Sequence, residues 1–503
     1  MKKLILALSI TIFSATLLPA QAKDLSGNTR ANLQTTRQYY AQLLTGTQPQ
    51  LAELNMLMTM LPKGGDIHHH YSGAIYAETY LDWVEQQGFC IYRESDASKK
   101  QEKFRIEAKP SASLQPNNAC IKVDAVRKDN AFYRELLSTW SDKDYDNHGH
   151  QQLAPDQHFF NSFGYFSPIS KFSNNDGLKI LKQRAKAENQ QYLETLLKSA
   201  PVTDHPEFSA QLDALPADAS APQLQQAFDK LADFLAHDDA AQKKIADYNQ
   251  ELSNDAAGID DAEFSLRIQS YVSRNSAPSK IFSGLFAAFS ASQGNPLIVG
   301  VNIVGPENGV VALRDYTLHM QMFAFLKQRF PKVHLSLHAG ELALGMVPPE
   351  HLSQHIRSAI DLAGAERIGH GVDITHEEQP DQLLADLKRR NVAIEINLSS
   401  NAFILGVQQQ AHPITVYLRH HIPIVISSDD MGVSRNNLSN EYLLFTSRYK
   451  PSYDTLKTVA YNSIRYSFLS PADKVLQLRQ LDRRFIKFEA AVAQLAQSAR
   501  RTP

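Results

Sequence analysis

Short apolar runs alternate with amphipathic ones through the second half of the chain. The apolar runs are LIVGVNIVG (297–305), KVHLSLHAGE (332–341), ERIGHG (366–371), VAIEINLSS (392–400) and IPIVISSDD (422–430). Between them lie ALRDYTLHMQMFAFLKQRF, EHLSQHIRSAIDLAG, QPDQLLADLKRR and PITVYLRHH, whose apolar residues recur at helical steps. Strand–helix alternation with connections of this length predicts parallel strands joined by right-handed crossovers. An earlier piece, GGDIHHHYSG (64–73), can supply a first strand. The expected fold is α/β, a TIM-type (β/α)8 barrel; an open doubly wound sheet fits the same pattern.

The first half is organised differently. Leu33, Tyr40, Leu43, Leu44, Leu51, Leu54, Leu57 and Leu61 recur at three- and four-residue steps, which predicts a helical N-terminal arm over residues 23–60. Such an arm could cover the core or form a dimer contact. From about 85 to 127, short β-rich pieces (FCIYRE, KFRIEA, CIKVDAV) are separated by polar turns, as in a small inserted subdomain after the first strand. Residues 175–265 are rich in Ala, Gln and Leu, a helical composition, with loops around Pro201–Pro222. The remainder, 61–503, reads as one barrel carrying the insert.

The extreme N-terminus reads as a signal peptide. Lys2 and Lys3 precede an apolar run from Leu4 to Leu18, then Pro19 and the small-x-small triplet Ala20-Gln21-Ala22. A membrane anchor is the competing reading, but the run is short of the roughly 20 residues a spanning helix needs. Cleavage after Ala22 would place the protein in the periplasm or outside the cell, with no stable membrane insertion. The two cysteines, Cys90 and Cys120, then read as a disulfide, two independent buried thiols being the alternative.

Charge removes one class of partner. With 51 basic and 53 acidic side chains, a formal net charge of −2 and no basic stripe, nothing provides the footprint that nucleic acid requires. At 43% hydrophobic and 21% charged, the chain is composed like an ordinary globular protein.

The unusual polar residues fall at the ends of the expected strands: His68 and His70, His338 and Glu341, His370, Asn397 to Asn401, and Asp429 with Asp430. In a parallel barrel the carboxyl ends of all strands meet at one face, so these residues converge. Packing alone would favour apolar side chains there. The His68-x-His70 spacing turns both imidazoles to one side of a strand, a suitable pair for a metal. In His338-Ala-Gly-Glu341 a carboxylate follows a histidine across small residues, bringing an acid near such a metal. His370 lies between two glycines that leave room for a ligand. His334, earlier on its strand, reads as a wall or bottom-face residue. Asp429 and Asp430 are costly at a buried mouth unless a cation or a donor faces them.

In this order and spacing, the residues resemble the adenosine deaminase family of the metal-dependent amidohydrolases. The matching stretches are Pro62-Lys63, His68-x-His70 with Gly73-Ala74, Val304-Gly305, His338-Ala-Gly-Glu341, Arg367-Ile-Gly-His370-Gly371, Glu395-Ile-Asn-x-Ser-Ser-Asn401 and Ser428-Asp429-Asp430. The leader, arm, cysteine-bearing insert and QHFFNSFGYFSPIS resemble the secreted branch, the adenosine deaminase-related growth factors. The resemblance implies that His68, His70, His338 and Asp429 hold one zinc ion, Zn2+, per chain. It also implies that Glu341 shuttles a proton, His370 orients the activated water, Asp430 contacts purine nitrogen 7 and the Gly305 N–H contacts nitrogen 3. The implied reaction is hydrolytic deamination of adenosine or a close 6-aminopurine nucleoside to inosine and ammonia, with zinc-bound hydroxide attacking purine carbon 6. The implied partner is that small molecule, with a homodimer conceivable.

Three positions depart from the family pattern. Ser72 stands where shorter members carry an Asp that touches the ribose, Met431 replaces the usual Pro after the Asp pair, and Asn397 replaces a Cys or Asn-Pro-like element. They bear on sugar-side specificity more than on the chemistry. Another metal-dependent hydrolase of the superfamily, or a non-catalytic purine-binding or signalling protein on the same scaffold, are the alternatives.

Overall fold

The computed structural model describes residues 27–96, 101–107, 120–143, 145, 153–216 and 219–499. Eight parallel strands carry the site. In chain order they are β1 (Gly64–Asp66), β2 (Gln190–Ser199), β3 (Ser265–Ser273), β4 (Ile298–Val304), β5 (Ser336–Ala339), β6 (Arg367–His370), β7 (Ala393–Ile396) and β8 (Ile424–Ile426). They form two four-stranded sheets, β1 to β4 and β5 to β8, with each strand beside its neighbour in sequence. The curled sheets meet at both seams through single parallel bridges, Val301 to Leu335 and His69 to Asp429. At the second seam the Asp429 N–H donates to the His68 carbonyl (3.0 Å) and the His70 N–H to the Asp429 carbonyl (3.2 Å). Three residues singled out in the sequence therefore stitch β8 to β1. This is the α/β fold with a barrel-like parallel sheet that the alternation predicts.

Two strands lie where the sequence suggests otherwise. Residues 190–199 belong to a segment of helical composition, yet they form β2, with its first eight residues buried. Gln, Leu, Glu and Lys favour helices only weakly, and burial between two neighbouring strands overrides that preference. β3 (SLRIQSYVS) follows in the same way. The strands at the site are also shorter than their apolar runs: β1 stops at Asp66 and β8 at Ile426, so His68, His70, Asp429 and Asp430 stand on loops beyond them. Leu398 to Ser400, read as strand, begin a helix over Leu398–Leu405.

The barrel interior is unusually polar. Arg367, fully buried on β6, donates from Nε to Glu395 (2.6 Å) and from Nη2 to Glu194 (2.7 Å) and the Ile67 carbonyl (3.2 Å). Glu194 also accepts from Tyr192, Gln269 and the Phe468 N–H. With every donor and acceptor in the ladder paired, these buried charges are tolerated.

Helices Gly27–Leu43 and Leu51–Met60 occupy the N-terminal arm and bury Tyr40, Leu43, Leu54, Leu57 and Met58. Tyr40 donates to the Pro451 carbonyl and Arg37 pairs with Asp454, so the arm is tied to the C-terminal helices as core cover. Residues 1–22, the expected leader, lie outside the described residues. Among the described residues no helix is long and apolar enough to cross a membrane. The insert contains an antiparallel hairpin, Cys90–Asp96 with Gln101–Glu107, and Cys90 is disulfide-bonded to Cys120. CIKVDAV is β-like only at Ile121, which bridges to Ile91; a helix starts at Val123.

Candidate metal centre and active site

Four side chains from three separate segments converge at the carboxyl ends of the strands. One ligand atom each from His68, His70, His338 and Asp429 lies within 4.8 Å of the others. His68 donates from Nδ1 to Glu395 (2.6 Å), which leaves Nε2 facing Asp429 Oδ1 at 3.4 Å. That Nε2 is buried and has no hydrogen-bond partner. His338 places Nδ1 against Asn302 Oδ1 (2.9 Å), so its proton sits there and its Nε2 lone pair is free. His70 Nε2 lies 3.1 Å from that nitrogen and 3.3 Å from Asp429 Oδ1. Three imidazole nitrogens and a carboxylate oxygen, two of the imidazoles anchored through their other nitrogen, make a donor set suited to a divalent metal. The orphaned His68 nitrogen is what a bound cation would satisfy.

Electrostatics favour positive charge at this point. Burial opposes a proton on His68, but the Asp429 and Glu395 carboxylates beside it overcome that and raise it to about 10. What favours a proton there favours a metal cation equally. Burial depresses His70 to about 4, and burial with the neighbouring imidazoles holds His338 well below its ordinary range. Both are therefore neutral ligands at physiological pH. Burial would raise Asp429, yet His68 beside it and the other imidazoles keep it ionised.

Glu341, His370 and Asp429 form a second group with ligand atoms within 4.8 Å. His370 Nε2 stands 3.7 Å from Glu341 Oε1 and 3.9 Å from Asp429 Oδ2. Burial, then repulsion from Asp429 and Glu307, pushes the Glu341 carboxyl well above its ordinary value, as befits a group that gives and takes a proton. His370 and Asp429 both adopt left-handed backbone, φ 71° and 56°, uncommon for side chains with a Cβ. Such strain concentrates where neighbouring structure dictates a position.

The cluster opens into a cavity of about 390 Å³ lined by Phe159, Phe160, Phe163, Tyr271, Gly305 and Asp430 beside the metal-site residues. Gly305 has φ 96°, which a side chain would resist. Asp430 points an unpartnered oxygen, Oδ1, into buried space, and burial with Asp429 beside it raises its carboxyl well above the usual range. A Cβ on Gly73 would stand 1.6 Å from that oxygen, so the Gly73 position is reserved for Asp430. Ser72 also lines the cavity, whereas Met431 is buried in the core. His334 lies elsewhere, half exposed, stacked on Phe468 and paired with Glu366.

Every site residue expected from the sequence therefore comes together, the cysteine pair excepted, which is bonded in the insert. The scaffold behind them does not stand out in the sequence. Glu307 accepts from the Gly340 N–H (3.1 Å), the Glu341 N–H (3.0 Å) and His355 Nδ1 (2.6 Å), clamping the loop that bears the acid. Arg274 faces Glu307 at 3.5 Å and donates to the His338 carbonyl at 2.7 Å. Attraction to Arg274 and the His355 hydrogen bond outweigh burial and bring Glu307 down to about 2, so it remains ionised. Asn302 and Glu307 flank Gly305 at the end of β4, and a buried polar pair around a strand-end glycine was the available signal.

Residues 252–483 match the family described as Adenosine deaminase. Over that segment the chain is similar to the adenosine deaminase family. Curated adenosine deaminases align with it from Clostridium kluyveri (30% identical over 177 residues, 35% of this chain and 46% of the relative) and Clostridium perfringens (33% over 178 residues, 34% and 50%). The chain spans about half the length of these curated relatives. Two solved structures share the fold across the family segment and beyond it. The N6-methyl-AMP deaminase from Arabidopsis thaliana has TM-score 0.53 and 16% identity, covering 85% of this chain and 98% of its own. The adenine deaminase from Arthrobacter aurescens has TM-score 0.50 and 16% identity, covering 84% and 98%. Residues 338, 341, 370, 429 and 430 fall inside the matched segment, while His68 and His70 reach the same centre from outside it.

Proposed function

We propose that the chain is an exported, zinc-dependent hydrolytic deaminase acting on adenosine or a close 6-aminopurine nucleoside. The observation that carries this reading is the convergence of His68, His70, His338 and Asp429 beside Glu341 and His370. His68, His70, His338 and Asp429 would hold the ion. Zinc bound there supplies Lewis acidity, which makes a water acidic enough to act as a nucleophile near neutral pH.

The remaining chemistry belongs to the protein. Glu341 takes a proton from the attacking water and delivers it to ring nitrogen 1, which makes carbon 6 electrophilic. The water oxygen adds at carbon 6, the proton of the resulting hydroxyl passes to the exocyclic amine, and the C–N bond breaks to release ammonia and leave the 6-oxopurine. A protonated Asp430 can donate to ring nitrogen 7, and the N–H of Gly305, which lines the same cavity, would meet nitrogen 3. Phe159, Phe160 and Phe163 offer apolar faces for an aromatic base. Among the described residues no Lys or Arg lines this cavity, which suits an uncharged nucleoside. The Cys90–Cys120 bond supports an oxidising compartment, in keeping with the leader-like N-terminus.

The purified protein, loaded with zinc, should convert adenosine to inosine with stoichiometric ammonia, followed by ultraviolet absorbance. Absence of turnover on adenosine, 2′-deoxyadenosine and related 6-aminopurines would refute the reading. Elemental analysis should return one zinc per chain, and an active preparation lacking a transition metal would refute the metal assignment.

A further inference from the structure

His370 is held by a chain of hydrogen bonds whose polarity is fixed at its far end. The Ile414 N–H donates to His412 Nδ1 at 3.2 Å. A backbone N–H cannot accept, so His412 Nδ1 bears the lone pair and His412 Nε2 bears the proton. His412 Nε2 lies 3.1 Å from Asn401 Oδ1, so the amide oxygen of Asn401 must point at His412. The other end of that amide, Nδ2, lies 2.9 Å from His370 Nδ1. The Asn397 amide nitrogen faces the same atom at 3.4 Å. His370 Nδ1 therefore accepts, and its proton sits on Nε2. Turning the Asn401 amide round would set donor against donor at His412. Asn401 and His412 are buried, so no water relieves such a clash.

We propose that His412 and Asn401 are positioning residues that lock His370 in its Nε2–H form, aiming one N–H between Glu341 and Asp429. The 3.7 and 3.9 Å separations there are too long for direct hydrogen bonds and wide enough for the oxygen of the reacting water. In this form His370 can only donate to that oxygen, and it leaves the proton traffic to Glu341. His412 reaches the site from a different loop, after residues 409–411, and touches neither the cavity nor the metal ligands.

The kinetic part rests on the deaminase reading; the spectroscopic part does not. Protein labelled with 15N-histidine, metal-free, should show His370 as the Nε2–H tautomer in long-range 1H–15N correlations, assigned by the signal lost in His370→Asn. Asn401→Asp puts an acceptor against Nδ1 and should move the proton to Nδ1. That variant should lose about 10²–10³-fold in kcat with KM changed less than about threefold and zinc content intact, as expected when a donor aimed at developing charge is removed. His412→Gln, which keeps an N–H for Asn401, should retain most of kcat; His412→Phe should not. An Nδ1–H His370 in the wild type would overturn the proposal, and so would Asn401→Asp at full kcat, or equal losses in the two His412 variants. If no purine is turned over at all, the deaminase reading fails, and the tautomer in the wild-type spectrum still decides the relay.

Discussion

Glu395→Gln probes how the buried ladder sets the metal ligand. Glu395 has three donors on two oxygens: Ser336 Oγ (2.8 Å) and Arg367 Nε (2.6 Å) on Oε1, and His68 Nδ1 (2.6 Å) on Oε2. Glutamine offers one oxygen and one NH2. If the oxygen stays with Ser336 and Arg367, the NH2 faces His68 Nδ1, which must then accept. The His68 proton moves to Nε2, the atom that faces Asp429. If the amide turns round, its NH2 meets the Arg367 N–H in a site with no exposure to water, and that arrangement costs more.

The first arrangement therefore wins, and it blocks the ligand nitrogen. A hydrogen bond to a charged group, worth about 1.5–3 kcal/mol, is lost from the metal-bound form. That agrees with the roughly 10–100-fold in metal affinity that partners of metal-bound histidines contribute, equivalent to about 1.4–2.7 kcal/mol. Zinc titration against a competing chelator, on protein shown to be folded by circular dichroism, measures it. Ser336→Ala is the control: it removes a donor from the same carboxylate, leaves the His68 proton in place and should weaken zinc binding far less. Zinc affinity of Glu395→Gln within about threefold of wild type would refute the chain of reasoning, since the partner bond would then carry no weight.

Glu341→Gln should keep zinc by elemental analysis and lose about 10²–10⁴-fold in kcat, the range of general acid–base catalysis. Gly73→Ala should raise KM for adenosine far more than it disturbs zinc content, because the new Cβ displaces Asp430 from 1.6 Å away. Reducing Cys90–Cys120, which closes a 30-residue separation, should lower stability by about 3–4 kcal/mol on the chain-entropy view, read as a drop in Tm with reductant. Glu377, raised by burial to about 7, has one oxygen bonded to the Ile356 and Arg357 N–H groups and the other buried without a partner. The folded chain binds its proton more tightly than the unfolded chain does, so its contribution is full below the ordinary carboxylate range and is lost as pH rises through about 7. Glu377→Gln should match wild type in Tm near pH 5 and exceed it near pH 8; the reverse order would refute the assignment.

What the sequence made legible, and what it concealed, follows from where information resides in a barrel. Strand-end chemistry is local: His338-Ala-Gly-Glu341 and Ser428-Asp429-Asp430 stand out because short polar stretches interrupt apolar ones, and the topology does the rest by bringing every strand end to one rim. β2 was concealed because Gln191, Glu194 and Thr195, all buried, are polar. Alternation of apolar and polar positions marks a strand only when the inside is apolar. Here the inside holds Arg367 between Glu194 and Glu395, and a strand that feeds such a ladder is written in helix-forming letters. The same ladder explains why the supporting residues matter. Glu395 holds His68, Asn302 holds His338, Glu307 holds the Glu341 loop and Asn401 holds His370. Each is a hydrogen-bond partner chosen by three-dimensional proximity, separated by 31 to 327 positions, as with Asn401 to His370 at 31 and His68 to Glu395 at 327. The groups that would touch the metal or substrate must be of a chemically distinctive type, so they announce themselves. The groups that orient them need only one lone pair or one N–H in the right place, which many residue types supply, so their identity emerges only when the chain is folded.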